Sequence, residues 1–294
     1  MMFTKAETEN APATAAIIRA IYLRVYPGAD LGIIERLFHD VEDMFAGRYL
    51  DYLPLDMRYH GIAHTLRAVV ALTELIEGRR RAGVMPVLGF RDFQVALVAI
   101  LLHDTGYLKL RSDSAGTGAK YTSIHVSRSC AFAASYLPTV GFKRSEIDAV
   151  TGAIRCTGPH SDIDQVRFHG EVEHFIGCAV TTADYLGQMA AEDYIEDLSS
   201  LYAELEEADD FLHVPQDRRL FRSVPELIAK TPAFWEQFVL PRLTRECHAV
   251  FRYLADPYPA GPNAYIQAVE RNMERARAYT RKRAAGPNAA ARRA

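Results

Sequence analysis

From residue 93 the chain reads Phe93-Gln94-Val95-Ala96-Leu97-Val98-Ala99-Ile100-Leu101-Leu102-His103-Asp104. The run is apolar on nearly every side, which predicts a helix buried at the centre of the fold. Helical spacing flanks it. Ile17, Ile18, Ile21 and Val25 form one run, and Ile33, Ile34, Leu37, Val41 and Phe45 a second, in a stretch from about Thr14 to Leu53 broken by the turn signal Pro27-Gly28. A third run begins near His60 and passes through Leu66, Val69, Val70, Leu72 and Ile76 to Gly78. Beyond the central helix, Ser112 to Gly118 has the composition of a loop, and Ser123 is expected to cap a helix that stops before Pro138. Ser145 with Asp148 resembles a capping box opening a helix to Gly158. Another helix is expected over Glu171 to Met189, followed by helical spacing to about Leu254 and a break at Pro257, Pro259 and Pro262. A last basic helix and an Ala/Arg/Pro/Gly tail, expected to fray, end the chain. Strand-like stretches such as Val84 to Phe90 do not alternate long enough to build a sheet, so the expected fold class is all-α.

The bulk composition is compatible with such a core. Of 294 residues, 49% are hydrophobic and 24% charged, which excludes wholesale disorder, a collagen-like fibre and a low-complexity scaffold. The longest apolar stretch, Val95 to Leu102, is far too short to span the ~30 Å core of a bilayer. Met1 to Glu7 has no apolar run of the signal-peptide kind, and the expected location is cytoplasmic. Cys130, Cys156, Cys178 and Cys247 form no CxxC pair and are read as buried free thiols. The net charge of −3 gives no global invitation to nucleic acid or an anionic membrane. Its distribution is uneven, because Arg271 onward carries eight Lys/Arg and one acid while 26 basic and 36 acidic residues precede it. Such a tail could meet an acidic partner, RNA or a neighbouring subunit of a homo-oligomer, and a solvated end is the preferred reading.

Residues able to do chemistry gather at element ends. Tyr59-His60-Gly61-Ile62-Ala63-His64 places two histidines four apart, which on a helix would share one face. It is not a zincin motif, since Gly61 stands where that motif needs its glutamate base. His103-Asp104 ends the buried helix, where a charged pair is costly unless a metal or counter-charge compensates it, and Gly106 supplies a helix stop. The similar dipeptide His39-Asp40 lies in an ordinary amphipathic run. Asp184, in Ala179-Val180-Thr181-Thr182-Ala183-Asp184-Tyr185-Leu186, is a carboxylate among apolar, small and hydroxylic neighbours, and a hidden partner is expected for it.

The ordered set His60-x3-His64, His103-Asp104, Asp184 resembles the HD superfamily of metal-dependent phosphohydrolases, whose signature is a His, a His-Asp pair and a distant Asp on an all-helical core. The flank Tyr59-His60-Gly61-x2-His64 is similar to the cyclic-nucleotide phosphodiesterase branch, which has Tyr-His-Asn-x2-His. Two positions depart from that branch: Gly61 replaces its Asn, and Tyr107 stands where a second His would follow the His-Asp pair. The resemblance covers about Tyr59 to Leu243 and implies an HD-domain helical bundle over 59–257, with extra helices at 1–58 and a basic helix and tail at 258–294. It also implies that His64, His103, Asp104 and Asp184 ligate metal, that Asp104 bridges if two ions bind, and that His60 protonates the leaving oxygen. The order His, His-Asp, His, His, Asp looks like the dinuclear members, which would add His125 and His160 as ligands. Imidazole with carboxylate suits one or two divalent transition ions, Mn, Fe, Co, Ni or Zn, better than Mg alone.

The implied activity is hydrolysis of a phosphoester of a nucleotide or related small metabolite. Two other readings stay open: a dinuclear-iron oxygenase, and a non-catalytic module stabilised by metal. Substrate anchors are less visible. Lys109 and Lys120 flank the glycine loop and could neutralise phosphate. Phe234, in Thr231-Pro232-Ala233-Phe234-Trp235-Glu236-Gln237-Phe238, falls where the phosphodiesterase branch stacks an aromatic on a base, with Thr231 at the position of its glutamine. A core role for Phe234 is the competing reading. His169, His174, His213 and His248 are read as structural.

Overall fold

A computed structural model describes residues 10–284. Among them are ten α-helices: α1 (Ala11–Val25), α2 (Gly32–Phe45), α3 (Ile62–Arg81), α4 (Phe90–Leu102), α5 (His125–Tyr136), α6 (Arg144–Thr157), α7 (Glu171–Met189), α8 (Tyr194–Phe211), α9 (Val224–Phe234) and α10 (Ala264–Ala284). No strand occurs among the described residues; two isolated bridges, Tyr52 to Leu110 and Ala255 to Asn263, are the only β-type pairings there. The fold is all-α. No helix of the described residues is long and apolar enough to cross a membrane. The tail read as fraying, after Ala284, lies outside the described residues.

Helix α4 is the buried hub, with every residue from Phe93 to Leu102 inside the protein. Its neighbours are α2, α3, α6 and α7, and α3 packs along α7 over the most extensive helix pair of the fold. One hydrophobic core runs from Ile18 and Leu37 through Leu72, Ile100 and Ile154 to Val269 and Met273, so the flanking helices share the core of the central bundle.

Several local expectations are corrected. The second run ends at Phe45, short of Leu53. Helix α6 opens at Lys143 instead of Ser145, because the Glu146 carboxylate reaches back to accept the Lys143 N–H at 2.7 Å. Helix α5 opens after Ile124, one residue beyond Ser123. The basic helix α10 is more than a solvated end: it buries Tyr265, Val269 and Met273, and its Arg275 and Arg277 pair with Glu196 and Glu236 on other elements. Arg281, Lys282 and Arg283 remain exposed.

Candidate metal centre

Three elements bring the candidate ligands together. His64 lies in the first turn of α3, His103 is the C-cap of α4 with Asp104 next to it, and Asp184 lies in α7. The approach of α3 to α7 depends on Gly187, whose added Cβ would stand 2.8 Å from the Ala68 Cα. Ala68 and Gly187 sit one turn along their helices from His64 and Asp184, so the backbone contact and the side-chain contact belong to one seam.

His64 Nε2 and His103 Nε2 are 3.2 Å apart. Asp104 Oδ2 lies 3.4 and 3.2 Å from these two nitrogens, and Asp184 Oδ1 lies 3.0 and 3.4 Å from them. His64, His103 and Asp104 are buried, and one ligand atom from each falls within 4.8 Å of the others. Donors held ~2.1 Å from a common ion are about 3.0 Å apart in octahedral and 3.4 Å apart in tetrahedral coordination. The observed spacings fall in that range.

The far side of each ring explains why the near side is free. His103 Nδ1 donates to the Ile100 carbonyl at 2.7 Å, a contact available only to a protonated Nδ1. His64 Nδ1 faces Gln188 Oε1 at 3.4 Å, and that amide oxygen also accepts from the Arg67 guanidinium at 3.3 Å. Both Nε2 lone pairs therefore turn inward, toward each other and toward two carboxylates, an arrangement that repels itself unless a cation or proton lies between. Asp104 Oδ2 is also a buried atom with no hydrogen-bond partner, which among native polar groups calls for an explanation of this kind. Burial alone would neutralise Asp104 and Asp184, yet His103 beside them holds both carboxyls well below the usual range. Reciprocally, the two carboxylates push His103 upward against its own burial. The group could hold a metal ion.

His125 flanks this group. Its Nε2 is 3.9 Å from Asp104 Oδ1, the oxygen turned away from His64 and His103, while its Nδ1 donates to the Thr122 carbonyl at 2.6 Å. Burial lowers its pKa, which favours the neutral imidazole a ligand needs. Gly106 makes this placement available in a way its reading as a helix stop missed. It belongs to the 3-10 turn Thr105–Tyr107, and a Cβ there would stand 1.9 Å from the His125 carbonyl oxygen. Arg128 then ties α5 down by donating to the Gly106 and Leu108 carbonyls.

His60 precedes α3 instead of riding on it. Extended Gly61 (φ −92°, ψ −174°) is the N-cap, so the shared-face argument for His60 and His64 does not apply. A turn nevertheless leaves the two rings 5.7 Å apart, with His60 stacked at 5.0 Å on Tyr107. What fixes His60 is Glu204 of α8, a buried carboxylate that accepts from His60 Nδ1 at 2.7 Å and from the backbone N–H groups of Arg58 and Tyr59. Burial pulls the His60 pKa down, but the Glu204 hydrogen bond and the nearby carboxylates outweigh it, and the net shift is upward. Sequence reasoning missed Glu204, since α8 is crowded with acids and nothing in their spacing singles out the inward one.

The remaining candidates lie elsewhere. His160 is exposed in the turn after α6 and stands outside the ligand group; the buried Arg242 organises that turn, donating to the Cys156 and Gly158 carbonyls. Lys109 and Lys120 are both buried with their ammonium groups committed inside the protein: Lys109 bonds Asp56 and the Gly116 carbonyl, Lys120 bonds Asp113 and the Ala115 carbonyl. Phe234 is exposed at the end of α9 and stacks on Phe238 with ring centroids 5.2 Å apart, so it is not the core residue of the competing reading. The four cysteines are buried and free, as expected.

Fold and site together define an all-helical protein with a buried His/His/Asp group able to hold a metal. Compared with protein-family models and with curated proteins, the chain matches none.

Proposed function

We propose that this protein is an HD-type, metal-dependent phosphohydrolase that cleaves a phosphoester of a nucleotide or related small metabolite. The observation that carries the reading is the pairing of two devices. One is the inward-facing set His64, His103, Asp104 and Asp184. The other is His60, braced by Glu204 within ring-contact distance of His64. A bound divalent transition ion supplies a water of lowered pKa and neutralises charge on a phosphoryl group.

The chain's own residues account for the proton. Hydrolysis adds water oxygen to phosphorus and breaks the ester P–O bond, and the departing oxygen needs a proton. His60, with Nδ1 held by Glu204, has Nε2 available to give it, and the carboxylate behind the ring favours the protonated imidazole beforehand. Asp104 presents Oδ2 to His64 and His103 and Oδ1 toward His125, so Asp104 and His125 would be the residues to hold a second ion if one binds.

The test is release of phosphate or nucleoside monophosphate from a panel of phosphomonoesters and cyclic nucleotides, with Mn, with and without chelator, in air and under anaerobic conditions. The expected result is Mn-supported, chelator-sensitive turnover that does not need oxygen. Iron content with oxygen-dependent turnover would replace this reading by the oxygenase. A fold that melts on metal removal, with no ester turned over, would leave a structural metal site.

A further inference from the structure

At the far end of α3, ~22 Å along the helix from His64 at 1.5 Å per residue, a pocket of about 260 Å³ opens between the last turns of the helix and the segment leading to α4. Tyr26, Ile76, Val84 and Leu88 give it apolar walls, and Arg79 and Arg80 supply its charge. No acidic residue lines it. We propose that this pocket binds a small organic acid, a carboxylate carried on a compact apolar body.

Arg79 carries the argument. The residue is only 4% exposed, and a guanidinium that cannot lose its proton is costly at such depth unless its N–H groups are met. Part of its compensation is internal: Nη1 donates to the Pro86 carbonyl at 2.8 Å, and the group lies 4.5 Å over the Phe175 ring. Among the described residues Nε and Nη2 have no hydrogen-bond acceptor, and neither is sealed from solvent. Arg79 lines the pocket, and Nε and Nη2 are the donors it leaves uncommitted. Arg80 adds a second guanidinium, 5.5 Å over the Tyr26 ring and in no ion pair among the described residues.

Two arginines lining an aromatic and aliphatic chamber select a ligand of mixed character. A carboxylate matches guanidinium donors in a bidentate way, and the walls reward an apolar remainder. The volume lies just below the ~300 Å³ lower end of ordinary small-molecule sites, so the acid is small. Tyr26 already donates its hydroxyl to the Leu88 carbonyl at 3.2 Å, so it serves the ligand as a wall and not as a donor.

The test is calorimetric titration of the full chain with phenylacetate and 4-methylpentanoate, against the matching neutral amides and inorganic sulfate. The acids are expected to saturate one site in the ~0.1–1 mM range, and the amides to bind about tenfold more weakly, the equivalent of one charge-assisted contact. Arg80 is exposed, so Arg80→Gln should leave the melting temperature unchanged while weakening the acids by about tenfold. Val84→Trp, which fills the chamber from its half-buried rim, should abolish binding. Acids and amides binding alike, binding unchanged in both variants, no saturation at any workable concentration, or sulfate competing as well as either acid would each overturn the proposal.

Discussion

Glu204 Oε2 lies 2.7 Å from His60 Nδ1, across 144 residues of chain. The same carboxylate, through Oε1, accepts the backbone N–H groups of Arg58 and Tyr59, so one buried side chain sets both the turn and the ring it carries. Exchanging it for glutamine separates the two duties. The amide oxygen can still hold the turn, while the amide nitrogen would face Nδ1 and force the His60 proton onto Nε2, leaving the ring neutral. Glu204→Gln is therefore expected to keep its fold and metal content and to lose about 10²–10⁴ in turnover of a phosphoester. Elemental analysis beside steady-state kinetics checks it, and metal loss in step with activity would show that the pair holds the site instead of the proton.

Metal stoichiometry separates the two histidines that the sequence grouped. His64→Ala, His103→Ala and Asp104→Ala each remove a member of the buried group and should leave less than about a tenth of the wild-type metal. His125→Ala should remove only the ion shared with Asp104 Oδ1. His160→Ala should change nothing, because that residue sits exposed outside the group. A fall in the His160 variant would show that its turn closes onto the centre.

Gly106 is a packing device, and its test is a stability measurement. A Cβ 1.9 Å from the His125 carbonyl cannot be absorbed by a flexible side-chain end, since the atom it meets is backbone. Gly106→Ala should cost about 3 kcal/mol or more of unfolding free energy. Denaturant titration reads that loss, and reduced metal uptake should accompany it as α5 is pushed from Asp104.

One ion pair outside the centre gives a pH dependence of defined sign. Arg91 Nη2 donates to Glu146 Oε2 at 2.9 Å, and this hydrogen-bonded guanidinium holds the Glu146 carboxyl below its ordinary 4.5. A depressed carboxyl stabilises the fold fully above the unfolded value and loses that contribution as pH falls through the folded one. Arg91→Gln should cost about 0.5–1 kcal/mol at neutral pH, the pair being partly solvated, and the difference should disappear as pH falls from neutral through the folded Glu146 value. Urea titrations of both proteins across that range would show it; a difference independent of pH would assign the loss to the Phe142 ring that Arg91 covers.

How far the sequence carried the reading depended on the range of the interactions concerned. The buried α4, the span of α7 and the all-helical class follow from apolar spacing over a few turns, because burying a stripe or a whole cylinder is a demand that near neighbours already express. His103-Asp104 was legible for the same reason: a charged pair ending a fully apolar helix is an anomaly in the local pattern. His64 was legible through its spacing from His60 and the resemblance it carries, and Asp184 as a carboxylate in an apolar helix that needs something buried opposite.

Tertiary structure alone decided the rest. Which of the many acids of α8 turns inward to His60 depends on how that helix sits against the turn before α3, and no local spacing encodes it. The buried lysines were assigned to phosphate from charge near a loop, whereas their acceptors are carbonyls and acids of the protein itself. Gly106 and Gly187 were glycines for the sake of backbone atoms distant in the chain. Residue type and periodicity determine which groups must be buried or compensated; only the packing of whole helices determines which partner does the compensating, because that choice is made by contacts between segments far apart in sequence.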